Sequence, residues 1–422
     1  MPPDPRRYRR LRRITYTLGV FAFVIAFFHR VAPGAIAADL RTSFDASALL
    51  LGFMAALYFY PYAAMQLPSG VMADTIGPRR LFSGGLLVAG VGSIVFGWAP
   101  SAAWLLVGRG LVGFGVAVSF ISVLKLIAAW YREDEFGTWV GVLMMAGNLG
   151  GVLAASPLAW IVGLVSWRDV FVAVGMLSVL LAAAIWTWVR DTPADAGLDP
   201  VVATPVATGP RVTLRAALAK VAANRDTWPV FTVHLCLIGS YLAFAGLWAV
   251  PMMTATLGMT RDAATLHITI AILAFAVGSV TVGTLSDRMR RRLPLLRWLS
   301  VLFLLCWVPW VTGWVVQGAA LYALFVLMGA GISGASLAWA LGKELNPPEL
   351  AGTSTSLVNT GGFLGAALLQ PLVGWTIDRG GASGPDDYRR GMIVLAVVAL
   401  AGVIGAFLVR ETGCRNAYVE RT

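Results

Sequence analysis

Twelve long apolar runs, separated by short breaks of charge, Pro or Gly, decide what this chain can become. They lie at 14 to 38, 48 to 72, 81 to 99, 103 to 128, 137 to 164, 168 to 189, 228 to 251, 263 to 285, 295 to 315, 318 to 342, 351 to 377 and 391 to 410. A helix needs about 20 mostly apolar residues to cross the roughly 30 Å hydrocarbon core at 1.5 Å per residue. In lipid the backbone has to satisfy itself internally, so only helices and closed barrels cross. Barrel strands are short and alternate in polarity, unlike these continuous runs. The expectation is an all-α membrane protein of twelve transmembrane helices. Composition agrees: 58% of the residues are hydrophobic and 13% charged, about half the charged share of a soluble domain.

The 32 basic residues are placed unevenly. Arg6, Arg7, Arg9, Arg10, Arg12 and Arg13 precede the first run, and others cluster in the second, sixth and eighth connections. Twenty-three fall on that side, six on the other (Arg41, Arg168, Arg261, Arg379, Arg389, Arg390) and three inside runs (Arg30, Arg109, Lys125). The positive-inside rule then predicts cytoplasmic termini, in a bacterial-type inner membrane. The net charge of +11 is mostly a topology signal, and no nucleic-acid partner is expected without a soluble basic domain to hold it. The basic start and Ala35-Ile36-Ala37 imitate a signal peptide, but the apolar segment is too long and contains Arg30, so it reads as an uncleaved first span. Cys236, Cys306 and Cys414 show no metal-ligand spacing and no disulfide pattern. No cofactor is expected.

Residues 191 to 227 form the longest polar connection and split the runs six and six. Gly70-Val71-Met72-Ala73-Asp74 recurs as Gly283-Thr284-Leu285-Ser286-Asp287 at an offset of 213, each followed by basic residues. Asn148-Leu149-Gly150-Gly151 recurs as Asn359-Thr360-Gly361-Gly362 at 211, half of 422. A fixed offset marks duplication. The expected division is a basic N-terminus 1–13, a six-helix bundle 14–190, a central cytoplasmic loop 191–227, a second bundle 228–410 and a cytoplasmic tail 411–422.

The Gly-x-x-x-Asp-x-x-Gly-x-Arg-Arg run from Gly70 to Arg80, its degenerate second copy, and Arg109 followed by Gly113 resemble the major facilitator superfamily of secondary transporters, over essentially the whole chain. The resemblance implies two pseudo-symmetric bundles, a midplane substrate site and alternating access by rocking. Within that superfamily, the stretch from Tyr62 to Gly70 and the His29-Arg30 pair are similar to the organic anion:cation symporter group. This chain has His29 where that group carries a titrating Asp, and Val116 where it carries a Glu. The Gly-Pro-x-x-Gly-Gly stretch of drug/proton antiporters is replaced by Ala146 to Gly151, which argues against drug efflux.

A charge at the centre of a membrane helix costs about 2.5 to 3.5 kcal/mol on insertion scales. Arg30 lies eight residues from the outer end of its run, roughly 12 Å deep at 1.5 Å per residue, with no acidic residue deep inside any run to pair with it. It reads as a clamp for a carboxylate or phosphate, which guanidinium binds bidentately while keeping its charge. Arg109 falls at similar depth, and two cations in one half make an anion-selective cleft. The resemblance also allows Arg109 a packing role through backbone carbonyls. Lys125 falls on nearly the opposite face from Arg109, within snorkelling reach of the inner surface. Tyr58, Tyr62 and Gln66 recur at i, i+4 and i+8, a polar stripe suited to a cavity wall. The 211 offset carries Arg30 onto Tyr241, with His234 and Trp248 one heptad to either side. The rest of the substrate is therefore expected to stack near Tyr241 and Trp339. Asn148 and Asn359 are open between substrate contact and helix packing.

Asp74 with Arg79 and Arg80, and Asp287 with Arg288, sit at the inner ends of the second and eighth runs. Such a carboxylate can cap a helix N-terminus or pair with a basic partner across the halves, shutting the inner side in one of two states. For coupling, histidine is the side chain that titrates near neutral pH, which singles out His29, although it points about 100° away from Arg30 on the helix. Proton coupling through His29, uniport and anion exchange stay open. The reading is a monomeric secondary transporter, surrounded by lipid, moving a small organic anion inward, with a carboxylate first among the candidates and a proton or counter-anion as co-substrate. The alternatives are an exporter of drugs or metabolites on the same fold and a transporter-like ligand sensor. No nucleophile, base or metal constellation points to an enzyme.

Overall fold

The computed structural model describes residues 5–198, 213–314, 316–381 and 384–418. The portions of the expected N-terminus, central loop and tail at 1–4, 199–212 and 419–422 lie outside the described residues. Twelve helices are long and apolar enough to cross a membrane. In the first half they are α1 (Arg6–Ala35), α2 (Ala48–Met65), α3 (Pro78–Gly97), α4 (Ala102–Trp130), α5 (Glu135–Val162) and α6 (Trp167–Trp188). In the second they are α7 (Thr227–Leu257), α8 (Arg261–Met289), α9 (Leu293–Thr312), α10 (Gly318–Glu344), α11 (Pro348–Asp378) and α12 (Pro385–Leu408). Each matches one apolar run. The ends differ where helical hydrogen bonding continues through charged residues: α1 begins in the basic segment at Arg6 and α12 at Pro385. The described residues contain no strand.

Local chemistry sets the starts. The Ser47 hydroxyl accepts the Leu50 N–H at 3.2 Å ahead of α2, and the Thr260 hydroxyl accepts the Ala263 N–H at 3.3 Å ahead of α8. Prolines occupy the first turn of α3 and α12, where a missing N–H costs nothing. Gly77, before α3, has φ of 90°, and a Cβ there would stand 2.6 Å from the Asp191 carboxylate. Both the dihedral and the space require glycine. Among the departures from regular geometry, α7 contains π-helical turns at His234–Ile238 and Phe244–Trp248, and α10 a 3-10 turn at Ser333–Ser336.

Trp98, Val280 and Trp298 are each more than 70% exposed. On a chain this apolar, such a surface suits lipid, and the chain is a multi-pass membrane protein. Among the described residues, four sets of polar contacts join the halves. The Asp378 carboxylate, ending α11, accepts the Ala48 and Leu49 N–H groups that start α2, at 2.9 and 2.8 Å. Arg261 pairs with Asp39 at 2.9 Å, and the Ser156 and Thr269 hydroxyls meet at 3.0 Å. The Asn359 amide donates to the Gln66 carbonyl at 3.2 Å. Backbones touch beside the Asp378 clasp: a Cβ on Gly52 would lie 2.6 Å from Pro371 Cα, and one on Gly374 would lie 2.3 Å from the Ala48 carbonyl. The first three sets lie toward the face opposite the termini, which is therefore the sealed face in this conformation.

Candidate functional site

The two buried arginines of the first half meet a stack of aromatic rings. The Arg30 guanidinium, on α1, lies 4.2 Å from the Phe27 ring, 5.0 Å from Phe363 of α11 and 5.4 Å from Tyr62 of α2. Arg109, on α4, lies 4.9 Å from the Tyr58 ring, and Tyr58 stacks on Tyr62 at 5.7 Å. Arg109, Tyr58, Tyr62 and Arg30 thus run in a row, with Phe363 closing it 4.3 Å from Tyr62. Gly113 brings α4 this close to α2, since a Cβ there would fall 2.2 Å from the Tyr58 carbonyl. The structure brings Arg30, Tyr58, Tyr62 and Arg109 together.

The charges in this row are not neutralised by protein. Arg30 Nε and all three Arg109 nitrogens are buried without a hydrogen-bond partner. Among the described residues no carboxylate pairs with either side chain. A ring face offers a buried cation about 2 kcal/mol, less than the several kcal/mol that desolvation costs. Arg30 lies five residues before the end of α1 at Ala35. It stays only 9% exposed. One turn further on, α1 is covered by the second half, where a Cβ on Gly34 would meet the Gly246 carbonyl at 3.2 Å.

These contacts also place three more of the expected residues. The Tyr58 hydroxyl is not a free donor, since it donates to the Ala26 carbonyl at 3.0 Å. Tyr241 does not join the row: its ring lies beside Phe275 at 5.8 Å and its hydroxyl is buried without a partner. Tyr241 lies between two π-helical turns, which change the helical register on either side of it. His29 faces the interior of the first half, its ring 6.0 Å from Phe171 of α6 and both nitrogens buried without partners.

A polar chain crosses between the halves beside the row. Trp339 donates its indole N–H to the Asn359 carbonyl at 3.2 Å, and Asn359 in turn donates to Gln66. His234 packs on Trp339 at 5.5 Å and accepts the Gly362 N–H at 3.1 Å. Gln66 and Trp339 therefore meet through Asn359. Asn148 turns back on its own helix, donating to the Met144 carbonyl at 3.0 Å. Sequence reasoning missed Phe363 and Gln370, the latter with a buried, unpartnered amide. Nothing in the spacing of an apolar helix marks either one.

The expected gate groups pair within their own halves, not across them. Asp74 pairs with Lys125 of α4, whose ammonium also reaches the Gly70 carbonyl at 3.4 Å. The Arg79 N–H is held by Asp191 at 2.6 Å and its guanidinium lies 5.4 Å from the Trp186 ring, while Arg80 and Arg288 are exposed. Asp287 pairs with Arg292 at 2.6 Å, and Arg292 pairs with Glu344 at 2.7 Å. The tail then straps the second half: Thr412 donates to Glu344 at 2.5 Å, and Glu411 accepts N–H groups from Arg292 and Leu293 at 2.9 Å and from Thr412 and Gly413 at 3.1 Å. Burial works to raise the Glu411 carboxyl, but these N–H groups outweigh it and hold it below the usual range. Burial likewise opposes the charge on Arg292, yet Glu344 and Asp287 prevail and raise its affinity for the proton.

A family model described as Major Facilitator Superfamily matches residues 18–369 and, in a second match, 233–416. The chain is 28% identical over 400 residues to the membrane sensor protein UhpC of Salmonella typhimurium, covering 88% of this chain and 86% of that one. It is 27% identical over 391 residues to the probable sulfoacetate transporter SauU of Cupriavidus necator, covering 89% and 90%. A solved bacterial homolog of the human lysosomal transporter Spinster, inward-facing and unoccupied, has the same fold: the TM-score is 0.76 at 17% identity, over 96% of this chain and 98% of that one.

Proposed function

The chain belongs to the major facilitator superfamily of secondary transporters, and on that premise we propose that it carries a small organic anion, with a carboxylate first among the candidates, inward across the cytoplasmic membrane. It is a transporter-family protein and not an enzyme. The observation that carries the substrate reading is Arg30: a buried guanidinium between the halves, ringed by Phe27, Tyr62 and Phe363, with no protein carboxylate to neutralise it. An arriving carboxylate would supply the missing charge and a bidentate contact. Arg109 supplies a second positive charge behind Tyr58, and Gln66, Asn359 and Trp339 supply the polar edge. The resemblance to a probable sulfoacetate transporter supports an anionic cargo.

With the termini cytoplasmic, as the arginine distribution argues, the sealed face is the outer one and the site opens inward. The division at 191–227 separates the two moving bodies. Two guanidiniums and no carboxylate favour a counter-anion on the return step, over a proton carried by His29. A sensor reading draws support from the likeness to UhpC, and it predicts ligand binding without flux. The experiment is a thermal-shift screen of purified protein against carboxylates, sulfonates, sugar acids, phosphate esters, amino acids and cationic drugs. Stabilisation by one class of small anion is expected. Stabilisation by cations or neutral compounds alone would overturn the anion reading.

A further inference from the structure

At the edge of the second half nearest the termini, a groove of about 440 Å³ opens between the α8–α9 connection and the end of α12. Its walls include Arg291, Arg297, Trp298, Phe407 and Glu411. Arg297 is fixed there by two carbonyls of the last turn of α12, Ala406 at 3.4 Å and Phe407 at 3.2 Å, with its guanidinium 5.1 Å from the Phe407 ring. Arg291 is exposed, as are Arg288 and Arg290, its neighbours at the end of α8 and in the α8–α9 connection, and Arg410, the residue preceding Glu411. Glu411, the one acid in the wall, has its carboxylate engaged by four backbone N–H groups, so the rim remains strongly positive. Immediately beside it are apolar groups with nothing over them: Trp298 is 75% exposed, Phe407 54% and Leu408 69%.

We propose that this groove binds the headgroup of an anionic phospholipid, its phosphate between Arg291 and Arg297 and an acyl chain along Trp298 and Phe407. The position fits headgroup depth, because α8 ends at Met289, α9 begins at Leu293 and α12 ends at Leu408. Basic pockets between membrane helices on the cytoplasmic side attract anionic headgroups, and tryptophan favours the interface. A free phosphate would use the arginines and leave the adjoining indole and phenyl rings without a purpose. The bound lipid would brace α12 against the α8–α9 connection, which the tail already straps through Glu411 and Thr412.

Delipidated full-length protein in detergent, titrated with phosphatidylglycerol or with phosphatidylcholine of the same acyl chains, tests the assignment by native mass spectrometry and thermal shift. The wild type should retain phosphatidylglycerol at least fivefold more tightly, with a raised melting temperature. The Arg291→Ala/Arg297→Ala variant should lose that preference and keep its phosphatidylcholine binding. Arg291→Glu, a change at an exposed position, gives the same reading should the double variant fold poorly. Equal affinity for the two lipids, or a preference unchanged in Arg291→Glu, would overturn the proposal. Stabilisation by inorganic phosphate equal to that by phosphatidylglycerol would also overturn it, and assign the groove to a free anion.

Discussion

Arg30 and Arg109 share a ring stack but differ in exposure to what could neutralise them. Arg109 is 1% exposed and enclosed behind Tyr58, whereas Arg30 touches residues of both halves. Removing one member of a buried charge contact costs about 2–5 kcal/mol, so Arg30→Ala should weaken anion binding by about thirtyfold or more in a titration. Arg30→Lys keeps the charge but loses the planar fork, and an intermediate loss of about tenfold is expected. At the inner end, Glu344→Gln would remove a charged partner from Arg292 and should lower stability by about 1.5–3 kcal/mol, read as a denaturation midpoint. Arg30 was legible in the sequence because charge in a membrane helix is expensive wherever it is found. Asp378 was not, because an acid at a helix end looks like any surface residue and its partners, Ala48 and Leu49, lie about 330 positions away.

Helices and their ends carry the conformational terms. Asp378 neutralises the α2 N-terminus only while the halves are closed on that face. A carboxylate at a helix N-terminus is worth about 0.3–1 kcal/mol, up to about 2 in partly buried sites. Asp378→Asn should therefore shift the population toward opening on that face by about two- to thirtyfold, measured by spin-label distances between the ends of α2 and α11. An unchanged distance distribution would show that the backbone contact at Gly52 and Gly374 holds the face alone. The tail strap adds a pH term. The folded Glu411 carboxyl sits below its ordinary range, so its contribution is present above the unfolded value of about 4.3 and fades as pH falls through the lower folded value. Thermal melts should lose stability as pH falls below about 4.5, and Glu411→Gln should flatten that part of the curve. The two π-helical turns of α7 flank Tyr241, and such wide turns change the helical register that a constant heptad spacing assumes.

Across the whole molecule, the apolar runs already contained the twelve spans found among the described residues. Membrane helices are legible in this way because the bilayer imposes length and polarity on each one separately. How the two halves lean on each other is set by pairwise contacts such as Asp378 with α2 and Asn359 with Gln66, and no periodicity encodes those. The paired gate groups belong to the same limit. Their motif repeated in the sequence, but which partner each acid takes depends on the face on which the halves have closed. An unneutralised Arg30 is proposed to hold the anionic cargo as the halves exchange access. Uptake into proteoliposomes of the anion found by the thermal-shift screen, compared between wild type and Arg30→Ala at matched incorporation, tests it most directly. Saturable uptake by the wild type and a loss to the level of protein-free vesicles in the variant are expected; full uptake by Arg30→Ala would rule out an anion clamp at this position.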